Sequence, residues 1–300
     1  MKDLISLADY TRQEIEVILD LADDLKRRQK NRAPHRILDG RTMAMVFEKP
    51  SLRTRVTFEA GMVQLGGYAI FLETSLGKRE SVPDVARNLG RWVDVIVART
   101  FRHSDVVALA EHAEVPVINA LTDELHPCQI LADVQTLREH RGKDLSGMRV
   151  AFVGDGNNVW ASWVNFAAHF PIELVLVCPE GYEGDVQHVD QARARGAAVS
   201  ITHDIEGASG ADVIYTDVWT SMGQEEEALR RLQAFQPYQV NRDLMALAKP
   251  DALFMHCLPA KRGQEVTDEV IDGPNSVVFD EAENRLHAQK GVLAHLLGGR

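Results

Sequence analysis

Cysteine is scarce in this chain. Cys128, Cys178 and Cys257 are odd in number, far apart and never paired as C-x-x-C. That offers no structural zinc site and fits a reducing cytosol. Positive charge is also short: 33 Lys and Arg against 44 Asp and Glu leave a net charge of −11. Such a balance argues against a nucleic-acid or acidic-membrane partner, because phosphate polymers need a basic face. A few local arginines can still hold a small anion. No apolar run approaches the roughly 18–20 residues of a membrane helix. The opening MKDLISLADY lacks an apolar core of signal-peptide length. The expected location is the cytoplasm.

What is present is an ordinary globular composition, 45% apolar and 26% charged over 300 residues, enough for two compact domains. Short β-rich runs alternate with longer helical stretches, the pattern of an α/β architecture with largely parallel sheets. Thr11 and Glu14 form a capping-box pattern opening a helix to about Lys30. Strands are expected at Thr42–Phe47, Tyr68–Leu72, Asp94–Arg99 and Pro116–Ala120. Helices are expected at Arg53–Leu65, Val82–Trp92, Ser104–Ala113 and from Pro127 to about Arg138. The polar stretch Glu139–Gly147 is the candidate domain boundary. Beyond it come strands at Arg149–Val153, Glu173–Cys178, Ala211–Val218 and Leu253–Cys257, with helices at Val159–Phe170 and Glu281–Leu297.

Chemistry-bearing residues gather where strands give way to helices. Phe47-Glu48-Lys49-Pro50-Ser51-Leu52-Arg53-Thr54-Arg55 places unpaired helix-start amides beside two hydroxyls and two guanidinium forks, a combination suited to phosphate. Its bland alternative is an N-cap serine followed by solvated arginines. Arg99 closes a buried strand, where an arginine meets either an anion or a structural carboxylate. His126-Pro127-Cys128-Gln129 sets an imidazole and an amide at a helix entrance, or merely caps it. Gly154-Asp155-Gly156-Asn157-Asn158 resembles part of a dinucleotide turn. However, Val159 replaces the third glycine and no acidic residue ends the next strand, so it reads as a tight turn exposing an asparagine. Asp217, ending another strand, could pair with a substrate ammonium or start a helix. Cys257, in His256-Cys257-Leu258-Pro259, is a nucleophile, a hydrogen-bonding group or a packing residue. Strand alternation puts His256 on the opposite face from Cys257, which removes the base a cysteine nucleophile needs.

Taken together and in this order, S-x-R-T-R, the strand-end arginine, H-P-x-Q, G-D-x-N-N, D-x-x-x-S-M-G and H-C-L-P resemble the ornithine carbamoyltransferases. The likeness extends to Gly77–Ser81 and Glu281–Arg285. The first three clusters also occur in aspartate carbamoyltransferases and specify carbamoyl phosphate; the last two specify ornithine. The resemblance implies two parallel-sheet α/β sandwich domains. The first is a carbamoyl-phosphate domain at 1–140 joined by the C-terminal helix 282–300, which crosses back to it. The second is an ornithine domain at 141–281. It also implies a homotrimer, active sites between neighbouring subunits, and no cofactor or metal.

By motif match, Ser51, Leu52 (through its backbone), Arg53, Thr54, Arg99, His126, Gln129 and Arg285 would contact carbamoyl phosphate. Cys257 and Leu258 would lie where the substrates meet. Asn158, Asp217, Ser221 and Met222 would hold ornithine, and Arg99, His126 and Cys257 would be catalytic. The chain departs from the family pattern at Leu52, where threonine or glycine is common. It departs again at Ser75, where a glutamine usually reaches a neighbour's site. Other readings are a carbamoyltransferase for aspartate, acetylated ornithine or a diamine, a catalytically silent carbamoyl-phosphate-binding relative, and more distantly a dehydrogenase.

Overall fold

In parallel sheets covered on both faces, strands are apolar along their whole length rather than at every second position. The computed structural model, which describes residues 2–220 and 227–298, builds the chain on two such sheets. The chain divides into two compact units, residues 1–135 with 283–300, and residues 136–282.

The first unit holds β1 (Thr42–Phe47), β2 (Tyr68–Glu73), β3 (Val95–Arg99) and β4 (Val117–Leu121) in the order β2-β1-β3-β4, all parallel. Central β1 and β3 are buried almost throughout, whereas edge strand β2 is half-exposed. Helices α2 (Leu52–Gln64), α3 (Val82–Trp92) and α4 (His103–His112) make the crossovers. Ala44, Val46, Ile96, Ala98, Leu89 and Val106 lie together in the core between sheet and helices. Helix α1 (Arg12–Lys30) opens with the expected capping box: Thr11 accepts from Glu14 N–H and Glu14 reaches back to the Thr11 backbone. Helix α5 starts at Pro127, whose missing N–H costs nothing in a first turn, and runs to Arg141. The last helix, α11 (Val278–Leu297), returns the chain to this unit. There Gly291 packs against α1 so closely that a Cβ would lie 2.6 Å from the Ile18 carbonyl oxygen.

The second unit carries β5 (Arg149–Val153), β6 (Glu173–Val177), β7 (Ala198–Thr202), β8 (Val213–Thr216) and β9 (Leu253–His256) in the order β7-β6-β5-β8-β9, again all parallel. Helices α6 (Asn158–Ala167), α7 (Val186–Ala194), α8 (Ala228–Phe235), α9 (Arg242–Leu247) and α10 (Asp268–Ile271) complete it. Val153, Val175, Ile214, Phe254 and Val266 share its core. The expected two-sheet α/β architecture is what the chain adopts. Sequence patterning did not single out α7, β7, α8 or α9. Strand β7 is an edge strand with one fully buried residue, so its apolar pattern is weak. The final helix begins three residues before the expected Glu281.

Candidate active site

In each sheet the strand order reverses beside a central strand, between β1 and β3 in one and between β5 and β8 in the other. Carboxyl ends of strands diverge there and leave room for a ligand. Among the described residues, most of those singled out from sequence follow strands of these two sheets.

In the first unit, Phe47 stands in register with Arg99, so the phosphate-like motif and the strand-end arginine start from the same level. Ser51 adopts extended backbone and its Oγ accepts from Thr54 N–H at 3.2 Å, which starts α2 and leaves its first amides pointing outward. Leu52 is 76% exposed, so any contact it makes in the site falls to its backbone. Glu48 braces the site from behind, accepting from Leu76 N–H at 2.8 Å and Phe101 N–H at 3.0 Å. Ser75, the departure from the family pattern, is exposed beside the bonded Leu76.

Arg285, delivered by α11, is buried and donates to Gln129 Oε1 at 2.6 Å and Thr54 Oγ1 at 3.1 Å. Gln129 in turn donates to Asp133 at 2.7 Å. Thr54, as acceptor, keeps its own O–H to offer elsewhere. His126 is buried, and burial together with the charges of Arg285, Arg99 and Arg53 holds its imidazole well below the ordinary histidine range. A neutral imidazole in the field of three guanidinium groups is what a small anion carrying a carbonyl needs. The cations bind it and the ring can hydrogen-bond without adding charge. Lys49, absent from the sequence-derived candidates although it lies in their strongest motif, joins this group. It is buried, stacks its ammonium 4.5 Å from the Phe101 ring centroid, and has its pKa lowered by burial and by Arg99.

In the second unit, Gly156 permits the tight turn, since a Cβ there would meet the Glu183 backbone at 2.3 Å. Asn157 caps α6 by accepting from Val159 and Trp160 N–H, and donates to Asp217 Oδ2 at 2.7 Å. Asp217 Oδ1 accepts from the Cys257 thiol at 3.0 Å and from Val218 N–H at 2.7 Å. Asn158, next in the chain, is the half-buried first residue of α6. Asp155 is paired with buried Arg231 at 2.8 Å, and Arg231 also donates to the Trp219 carbonyl at 3.0 Å. Burial pushes the Asp155 carboxyl upward against the pull of Arg231. Ser221 and Met222 lie outside the described residues. Asn157 lies in the G-D-x-N-N motif but was not among the candidates, while Arg231 and Glu265 were missed from sequence because an arginine and a glutamate alone carry no distinguishing local pattern.

The expectation for His256 needs correcting. Strand β9 ends at this residue, alternation stops with it, and an imidazole nitrogen lies within 4.8 Å of the Cys257 sulfur and an Asp217 oxygen. That trio has the spacing of a cation site, but its imidazole has no lone pair to spare. Nδ1 accepts from Leu258 N–H at 2.9 Å, and Nε2 faces Glu265 Oε1 at 3.1 Å. For the same reason His256 is no base for Cys257. Cys128 and Cys178 are buried packing residues, each thiol pushed up to about 12 by burial.

Comparison with known proteins places both units in one family. Residues 2–139 match the carbamoyl-P binding domain of the aspartate/ornithine carbamoyltransferases, and residues 146–296 match their Asp/Orn binding domain. An ornithine carbamoyltransferase from Thermococcus kodakarensis is 51% identical, covering 99% of this chain and 97% of its own length. An anabolic ornithine carbamoyltransferase from Pyrococcus furiosus is 52% identical, with 99% and 97% covered. The solved ornithine carbamoyltransferase from Pyrococcus furiosus superposes with a TM-score of 0.96 at 51% identity, over 100% of this chain and 98% of that one.

Proposed function

This chain belongs to the aspartate/ornithine carbamoyltransferase family, and from that membership we infer its reaction. It transfers the carbamoyl group of carbamoyl phosphate to the δ-amine of L-ornithine, giving L-citrulline and phosphate in arginine biosynthesis. The observation that carries the first half of this reading is buried Arg285 bonded to Gln129 and Thr54, in a region where the charges of Arg285, Arg99 and Arg53 help keep His126 neutral. Asp217, held in place by Asn157 and Cys257, supports the second half as an anionic partner for an amino-acid ammonium.

We assign carbamoyl phosphate to the first unit, residues 1–140 with 282–300, and ornithine to residues 141–281. Ser51, Arg53 and the α2 amides, that of Leu52 included, take the phosphate. Thr54, Arg99, His126, Gln129 and Arg285 take the carbamoyl end. Free ornithine carries a lysine-like δ-ammonium that must lose a proton before it attacks. The amine nitrogen then bonds to the carbamoyl carbon, an oxyanion develops on the carbamoyl oxygen, and the carbon–oxygen bond to phosphate breaks as the departing phosphate takes the extra proton of the attacking nitrogen. Arg99, His126 and Thr54 stabilise that oxyanion, an electrostatic contribution that usually dominates such catalysis. Ser51 and Arg53 stabilise the departing phosphate. Asn158, Asp217, Ser221 and Met222 hold ornithine, while Cys257 and Leu258 contribute mainly orientation.

A homotrimer in the cytoplasm completes the reading. Self-assembly is supported by an apolar stripe on the first unit. Leu52, Val56 and Val63 share one face of α2 and are 76%, 52% and 60% exposed, and the edge strand adds Tyr68 and Ile70. No helix among the described residues is long and apolar enough to cross a membrane. The deciding experiment is a citrulline assay with carbamoyl phosphate and a panel of amine acceptors, alongside a native mass measurement. Ornithine should be the preferred acceptor by kcat/KM. Preference for aspartate or N-acetylornithine would overturn the assignment of the second unit.

A further inference from the structure

Beyond β9 the chain takes a conformation that a leucine rarely adopts. Leu258 has φ of 52°, in the left-handed region where a Cβ crowds the backbone, so something must hold it there. The holding group is the imidazole two residues earlier. Leu258 N–H donates to His256 Nδ1 at 2.9 Å. An acceptor at Nδ1 requires that neutral His256 carry its proton on Nε2. That proton points at Glu265 Oε1, 3.1 Å away, and the same carboxylate oxygen accepts from Lys261 N–H.

Both side chains are fully buried and bonded to backbone amides and to each other, which makes them positioning groups. Glu265 is itself anchored, since its carbonyl accepts from Val240 N–H at 2.8 Å. A second buried carboxylate, Glu281, accepts from His256 N–H at 3.0 Å. Three amides between His256 and Lys261 are thus pinned by one imidazole and two carboxylates. Within that pinned stretch lies Cys257, whose thiol meets Asp217 at 3.0 Å. A thiol is a weak donor and cannot impose such a geometry by itself; the pinned backbone presents it.

We propose that His256 and Glu265 are a positioning pair for ornithine: Glu265 fixes the Nε2–H tautomer of His256, His256 fixes Leu258, and the turn so formed holds Cys257 against Asp217. This rests on the assignment of ornithine to the second unit. The pair sets where the Asp217 carboxylate and the Cys257–Leu258 backbone stand when the amino acid binds. Its effect falls chiefly on ornithine, because Asp217 is the group the turn positions.

The test uses the full chain with Glu265→Ala and Glu265→Gln, the second keeping an acceptor oxygen of nearly the same shape. Glu265→Ala should lower kcat/KM for ornithine about tenfold or more while the carbamoyl-phosphate KM stays within about twofold. Glu265→Gln should restore kcat/KM to within about threefold of the parent. The second readout is alkylation of Cys257 by iodoacetamide, with buried Cys128 and Cys178 as internal controls. In Glu265→Ala the Cys257 rate should change about fivefold or more while the controls stay unlabelled. An unchanged Cys257 rate overturns the proposal. Equal labelling of all three cysteines also overturns it, because it reports general loosening. If Glu265→Ala does not fold, His256→Asn, which can accept from Leu258 but cannot span to Glu265, carries the same expectations. The cysteine readout needs no catalysis, so a parent protein that made no citrulline would refute the reaction and leave the clamp separately testable.

Discussion

Arg285 donates to Gln129 across 2.6 Å although 156 positions of chain separate them. The same guanidinium reaches Thr54 at 3.1 Å. One residue of the last helix thereby ties together the start of α5 and the first turn of α2, the two elements that present His126 and the phosphate motif.

Arg285→Ala should therefore weaken carbamoyl-phosphate binding by more than the loss of one contact. It removes two charge-assisted hydrogen bonds, each worth roughly 1.5–3 kcal/mol, and with them the tie between α5 and α2. Calorimetry with a stable phosphonate analogue should show affinity falling at least about tenfold. Arg285→Lys, which keeps the charge but not the fork, should fall between variant and parent. Equal affinity in all three proteins would remove Arg285 from the site.

Arg53 and Arg99 should separate in kinetics. Arg53→Ala, on the phosphate side, should chiefly raise the carbamoyl-phosphate KM. Arg99→Ala should depress kcat as well, because the oxyanion it faces develops only in the transition state. Steady-state assays that found the two variants indistinguishable would contradict the division of roles.

Asp217→Asn keeps the shape of the carboxylate and an acceptor for Cys257 while deleting its charge. The ornithine KM should rise by about a hundredfold, in line with the loss of a buried ion pair to the substrate. The carbamoyl-phosphate KM should hardly move. A larger effect on carbamoyl phosphate than on ornithine would place Asp217 in the wrong role.

Stability should fall on the acid side, and His287 should be one cause. Burial, reinforced by the charges of Lys290, Lys26 and Lys30, holds its imidazole down to about 3. An unfolded histidine titrates near 6.5, so the unfolded chain binds the extra proton between those values. The stabilisation is complete above about pH 6.5 and is lost as pH falls toward about 3. His126, also held low, acts in the same direction. Urea midpoints for the parent should drop between pH 7.5 and 4.5, and His287→Leu should drop less. A gap between the two proteins that did not vary with pH would refute the assignment.

The sequence by itself determined the elements whose signals are local. Central strands β1, β3 and β5 stand out as unbroken apolar runs because both faces are buried, and edge strand β9 does so because its residues are buried too. Ser51, Thr11 and Pro127 mark helix starts because a cap or a missing N–H acts within four residues. The site motifs were legible for the same reason, being contiguous and set at strand-to-helix switches. Tertiary structure alone decided edge strand β7, whose half-exposed face leaves little pattern. It alone decided which partner each buried polar group takes: Arg231 for Asp155, Glu265 for His256, Asn157 for Asp217. Nothing in a run of residues encodes such pairings, because burial obliges each of these groups to find a partner in space, and the partner comes from whichever segment the fold brings alongside.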